Sequence, residues 1–154
     1  MKVASCQCGQ LTAACPDEHL FQIQCGCVDC QRRTGTPSSF NAYYKASQVK
    51  IAGEQKVYTR GTLSGSSMTF HFCPNCGSTV IAETPSINAV FEEDLYEIPV
   101  GCFFDSNFAA PDVAVWTCDL HDWFPAAAPK DFQMEEQQSS LEEIKETFKM
   151  LGVL

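Results

Sequence analysis

The sequence predicts a mainly β domain closed by one C-terminal α-helix, and three observations carry that prediction. Short runs rich in β-branched and aromatic residues, punctuated by Gly, Pro, Ser and Thr, fill the first hundred positions. One of them alternates cleanly: in "SMTFHFC" (67–73), Met68, Phe70 and Phe72 share one face while Thr69 and His71 take the other. A helical period with a start signal occurs near the end, in "SSLEEIKETFKML" (139–151).

Taken in order, the predicted strands are "QLTAAC" (10–15), "SSFNAYYKA" (38–46), "QVKIAG" (48–53), "QKVYTR" (55–60) and 67–73. "STVIAE" (78–83), "LYEIPVGCFF" (95–104) and "VAVWTC" (113–118) complete the set. From about residue 119 the pattern changes. "HDWFPAAAPKDFQ" has two prolines and no period, so it reads as loop. In the helix, Ser140 and Glu143 make a capping box, and Leu141, Ile144, Phe148 and Leu151 fall on one face. Glu142 with Glu146, and Lys145 with Lys149, are like-charged i,i+4 pairs. Packing of the apolar face must therefore hold this helix on the β domain. No internal repeat or low-complexity tract is present.

The chain has 154 residues, 45% hydrophobic and 19% charged, as expected for one folded domain with its own core. Its formal net charge of −9 argues against a nucleic-acid binder, which shows a basic face. An anionic small molecule stays open, since it needs only a few placed Arg or Lys. The start "MKVASCQCGQL" has no apolar targeting core, and no window approaches a membrane span, so the expectation is a soluble cytoplasmic protein. In that compartment ten cysteines favour metal ligation over disulfides.

Those cysteines fall into groups. "CQC" places Cys6 and Cys8 near the start, and "CPNCG" places Cys73 and Cys76 far downstream, with Pro74 shaping the bend and Gly77 relaxing it. Tetrahedral zinc, with Zn–S near 2.3 Å, holds its sulfurs about 3.8 Å apart. C-x-x-C reaches that spacing in a tight turn. C-x-C reaches it once the backbone bends away from the extended form, in which alternate residues are about 6.6–6.8 Å apart. The economical pairing is Cys6, Cys8, Cys73 and Cys76 as one closed structural site, whose metal binding adds directly to folding free energy.

"QCGCVDCQRRTG" (24–35) then keeps Cys25, Cys27 and Cys30 to itself. Three ligands and an open position is the pattern of a reactive zinc, and zinc suits thiolate capture because it acidifies a bound thiol. Two alternatives stand beside it. One is a second structural site completed by Cys15, Cys102, Cys118 or a histidine, with Cys102 the first to check. The other is a metal-free redox triad. Otherwise Cys15, Cys102 and Cys118 read as buried free cysteines, and His19, His71 and His121 as surface or hydrogen-bonding histidines.

Together, C-x-C, then C-x-C-x-x-C followed by Q/R-R-x-S/T-G, then F-x-F-C-x-x-C-G, resemble the glutathione-dependent formaldehyde-activating enzyme family, which includes centromere-protein-V-like proteins. The pieces read "CQC", "CGCVDCQRRTG" (25–35) and "FHFCPNCGS" (70–78), and the resemblance covers roughly residues 3–126. It implies a zinc-stabilised, mostly antiparallel β-tent with a structural Cys₄ zinc and a catalytic zinc on Cys25, Cys27 and Cys30. A zinc-binding β domain over 1–126 and a docked loop and helix over 127–154 would form the same domain. The implied activity joins glutathione and formaldehyde into S-hydroxymethylglutathione, a carbon–sulfur lyase reaction in reverse. Arg32, Arg33 and Thr34 are the candidate holders of the glutathione-like thiol substrate, with Gly35 and Ser38 as further donors. Two positions depart from the family pattern: Gln24 where His is common, and Cys102 in "GCFFD". The competing function is a non-catalytic, zinc-stabilised binding module.

Overall fold

The computed structural model describes residues 1–62, 65–138 and 140–154. It is mainly β, with ten strands in two sheets and a C-terminal helix. The chain divides into two compact units, one of residues 1–20 and 42–107 and the other of residues 21–41 and 108–154.

In the first unit, β1 (Lys2–Ser5), β2 (Thr12–Cys15) and β5 (Lys50–Ala52) form an antiparallel sheet in the order β1-β2-β5. Lys2 stands opposite Cys15, and Thr12 opposite Ala52. Alternation decides which residues go inward: Ala13 and Cys15 are buried while Thr12 and Ala14 are not. A second antiparallel run joins β6 (Lys56–Gly61), β7 (Ser67–Phe72), β8 (Thr79–Glu83) and β9 (Leu95–Pro99). On the predicted face of β7, Met68 and Phe70 join Ala82 in the core, while Phe72 is only half-buried. The β7–β8 register shifts between His71 and Phe72, just before Cys73. Such a bulge bends the strand and re-aims the cysteine turn beyond it.

The predicted strand 95–104 stops at Pro99. Residues Val100–Phe103 form a 3₁₀ turn that ends with Phe104 at φ +54°. Helix α2 (Pro85–Phe91), not anticipated, has Pro at its start and buries Ile87 and Val90.

In the second unit, β3 (Phe21–Cys25) pairs in parallel with β10 (Val113–Val115), Val115 standing opposite Cys25. The mostly antiparallel expectation thus has a parallel pair at the strand that delivers the first cysteine of the three-cysteine run. The predicted strand 113–118 ends at Val115, because Trp116 turns to φ +55° and Thr117–Asp119 form a 3₁₀ turn. Strand β4 (Ser39–Lys45) contributes residues to both units.

Helix α1 (Val28–Thr34) comes after β3, and α3 (Leu141–Met150) carries the expected capping box at Ser140 and Glu143. Ser139, the first residue of that predicted segment, lies outside the described residues. Helix α3 buries Ile144, Thr147 and Phe148, and the Phe148 ring meets that of Phe21 at 4.5 Å. Leu141 is exposed and Leu151 half-buried, so the apolar face is narrower than its period implied. Among the described residues, no helix is long and apolar enough to cross a membrane.

Candidate metal centres

The first unit brings Cys6, Cys8, Cys73 and Cys76 together, with all four sulfurs within 4.8 Å of one another. Two turns do this. In the β1–β2 turn, Cys6 N–H donates to Leu11 O and Gly9 N–H to Cys6 O, so the C-x-C backbone curls back on itself. In the β7–β8 turn, Cys73 N–H donates to Ser78 O and Gly77 N–H to Cys73 O, with Gly77 at φ +77°. The Sγ atoms of Cys6 and Cys8, and of Cys8 and Cys73, are 3.6 Å apart. Tetrahedral thiolate coordination needs about 3.8 Å. The donor set fits a soft or borderline metal ion with all four ligands supplied by the protein.

The thiols of this group are not shifted alike: Cys8 is raised, against a lowering hydrogen bond with Asn75, while Cys73 and Cys76 are lowered. Cys76 is brought down to about 5, first by the Ser78 hydroxyl. Burial, the largest single influence on Cys73, works to raise it. Hydrogen bonds from the Gln10 side chain and the backbone of Cys76 and Asn75 nevertheless hold it below the ordinary thiol value.

Cys25, Cys27 and Cys30 converge in the second unit within the same 4.8 Å limit. Each sits on a different kind of backbone. Cys25 ends β3, Cys27 is the N-cap of α1, and Cys30 lies in the first helical turn. The cap is made by the thiol itself, because Cys27 Sγ accepts the N–H of Cys30 at 3.4 Å. Gly26 N–H donates to Val115 O at 3.0 Å, tying the turn to β10. At the far end of α1, Gly35 takes φ +68° and returns its N–H to Gln31 O.

Cys25 is pushed well above the ordinary thiol range, first by its hydrogen bond with Cys27 and then by that with Cys30. Cys30 is pulled down to about 2 by hydrogen bonds from Cys25 and Cys27, against its burial, with Ser39 and the Arg33 charge adding to the effect. A negative charge concentrated in a buried sulfur cluster suits a cation. Among the described residues, no fourth His, Cys, Asp or Glu joins the three.

A model of the glutathione-dependent formaldehyde-activating enzyme family matches residues 1–119. The chain belongs to this family. Its fold is also similar to a crystal structure of a Rhodobacter sphaeroides protein, with a TM-score of 0.50 and 20% identity over 68% of this chain and 90% of that one. No curated protein matches the chain. Membership in the formaldehyde-activating family implies a glutathione-related activity.

The family pattern leaves several other positions to place. Cys102 stands with the four-thiol group. Burial, with the charges of Cys6 and Cys76 adding to it, lifts Cys102 to about 11, and its thiol points to Thr79 O at 3.6 Å. Cys15 is buried with its thiol toward Ala13 O, and Cys118 is exposed beside Asp119.

His71 is hydrogen-bonded on both nitrogens, to Gln55 at 3.0 Å and Glu83 at 2.5 Å. His121 stacks on Trp123, ring centroids 5.2 Å apart, and His19 meets Tyr44 edge-on. Arg32 is exposed, whereas Arg33 is half-buried with its charge felt at Cys30. The Thr34 hydroxyl is already engaged with Cys30 O and Thr36 at 2.8 Å each, and Ser38 donates to Cys25 O at 3.1 Å.

Two glutamines carry structural weight at this site: Gln24, noted in the sequence only as a departure from the family pattern, and Gln31, not named individually at all. Gln24, fully buried, accepts the Ala127 N–H at 2.7 Å and reaches Pro125 O at 3.4 Å. Gln31 donates to Gly26 O at 2.7 Å and Asp119 O at 2.8 Å. Flanking the cysteine run on both sides, they clamp the segment 119–127 to it. A glutamine beside each outer cysteine was the available signal.

Proposed function

We propose that this chain is a zinc-dependent carbon–sulfur bond enzyme acting on a glutathione–aldehyde adduct such as S-hydroxymethylglutathione. Residues 1–126 would form its zinc-binding domain, completed by the loop and helix of 127–154. One observation carries the reading: two thiol groups of unequal size, four closed on one another and three without a fourth ligand among the described residues.

Zinc bound by Cys25, Cys27 and Cys30 would supply Lewis acidity and lower the pKa of a sulfur in its remaining position. This chain's own residues bind and orient. Cys25, Cys27 and Cys30 are held by a strand end, a helix cap and a helix turn, so their geometry is set before substrate arrives. Arg33, with Arg32 on the outer side, offers a guanidinium to a glutathione carboxylate. Thr34 binds back to Cys30 O and steadies the turn from which substrate is approached. In the synthetic direction the thiol sulfur bonds to the aldehyde carbon. The carbonyl π pair passes to oxygen, which takes up the thiol proton, and a hemithioacetal results. In the lyase direction the same bonds reverse. The net charge of −9, and the absence of a membrane-length helix among the described residues, support a small-molecule enzyme of the cytoplasm.

The test compares wild type with Cys27→Ser. Metal analysis should find two zinc ions per wild-type chain, one readily chelated, and a single inert one in the variant. S-hydroxymethylglutathione formation should fall to the spontaneous rate in the variant. Absence of glutathione binding at millimolar concentration would sink the substrate assignment. Two equally inert zinc ions would instead favour a non-catalytic module.

A further inference from the structure

The Gln10 side chain sits immediately after the "CQCG" turn and makes three contacts. Its Nε2 donates to Glu54 O at 2.7 Å, its Oε1 accepts the Glu54 N–H at 3.0 Å, and its Nε2 also donates to Cys73 Sγ at 3.1 Å. Both amide hydrogens are thereby used. Two-point pairing with the Glu54 backbone removes the rotamer freedom a glutamine ordinarily has. Its second N–H is therefore fixed on the sulfur of Cys73, sixty-three residues away in sequence and fully buried.

The corner that holds Gln10 is built for it. Gly53 adopts φ +99°, and a Cβ placed there would lie 1.9 Å from Gln10 O and 2.8 Å from its carbonyl carbon. Only glycine lets the chain cross Gln10 this closely. The other sulfurs draw on nearby groups: Cys6 accepts the backbone N–H of Leu11 at 3.2 Å, and Cys76 lies 3.4 Å from the Ser78 hydroxyl.

We propose that Gln10 is a positioning residue of the four-thiol metal centre, braced by the Gly53–Glu54 corner and acting on the metal through the Cys73 sulfur. The inference rests on the reading that Cys6, Cys8, Cys73 and Cys76 hold a metal. Four thiolates around a divalent ion leave a charge of −2, and an N–H donor to one sulfur draws part of it off. Groups of this outer kind change metal affinity about 10–100-fold when removed. A mere brace for the corner would affect folding without touching the metal's electronic properties.

The experiment uses the full chain carrying Cys27→Ser, so that only the four-thiol group reports, loaded with Co²⁺. Gln10→Met keeps the side-chain length but loses the donor to Cys73 and both hydrogen bonds to Glu54, and Gln10→Ala loses the side-chain packing as well. Should Gln10→Ala not fold, Gln10→Met carries the comparison. The expected result is a sulfur-to-cobalt charge-transfer band at lower energy than in the Gln10 parent, with release to a chelator faster by about tenfold or more. A parental band position and release rate would overturn the proposal, however far the melting temperature fell. A parent that binds no Co²⁺ on these four thiols would overturn the metal reading itself, and this inference with it.

Discussion

Gly26 lies between two of the three clustered thiols, and its substitution by alanine tests whether the site depends on the backbone behind it. A Cβ there would lie 2.5 Å from Trp116 O, 2.7 Å from Leu120 Cδ2 and 2.9 Å from Leu120 Cγ, where real contacts stay above 3.0 Å. The leucine can rotate away. The carbonyl has less room, because Gly26 N–H is already bonded to Val115 O, the preceding residue's oxygen. The cysteine turn and residue 116 must therefore separate by about half an ångström. Overpacking of this kind costs about 1–3 kcal/mol, a melting temperature about 3–10 °C lower for a chain of this size.

The control is Gly35→Ala, where nothing lies within 4 Å and only the left-handed backbone at φ +68° is penalised. That costs about 1–2 kcal/mol and leaves the thiols alone. Thermal melts, metal content and adduct formation separate the two variants. On the proposed reading, Gly26→Ala should retain less of the chelatable metal and slow the reaction up to ~100-fold, since small misplacements at a reacting centre are that costly. Gly35→Ala should keep both metal ions. Equal metal content and rates within about twofold in the two variants would refute the reasoning.

Two further outcomes are expected from the packing. Burial raises Cys15 to about 11, so its contribution to stability is complete below the ordinary thiol pKa of 9.0 and is lost as pH climbs through 11. Denaturant titrations across that window should show wild type losing on the order of 2–3 kcal/mol more than Cys15→Ala, and parallel curves would exclude Cys15 as the cause. Phe148→Ala removes the ring that meets Phe21 and should cost about 3–5 kcal/mol by the same titration, whereas Leu141→Ala, at an exposed position, should stay within about 0.5 kcal/mol of wild type.

What could be read from residues alone depended on how local the signal was. Cysteine spacing is local, so both thiol groups were legible in the sequence. The Ser140–Glu143 box and the β7 alternation are local too, and both hold. Strand β3 was missed although "FQIQC" alternates apolar and polar residues, and the alternation does not give its burial, since Gln22 and Gln24 are both buried. Their environment is supplied from residues 112–127: Gln22 N–H donates to Asp112 Oδ2, and Gln24 holds residues 125 and 127. Helix α2 escaped notice because it ends on Glu92 at φ +53°, a position where glycine would have announced the stop. The strand predicted through Phe104 failed because the chain turns into a 3₁₀ segment after Pro99, which Phe104 closes. A non-glycine residue takes the left-handed conformation there, and composition gives no warning of it.

The thiol of Cys27 closes helix α1 as well as facing its two partners. Two selective demands thus fall on one atom, and the side chains able to meet them differ. Serine caps a helix as well as any residue but is a poor ligand for a soft metal. On the proposed reading, a variant with serine at 27 would keep its architecture while losing a metal ligand.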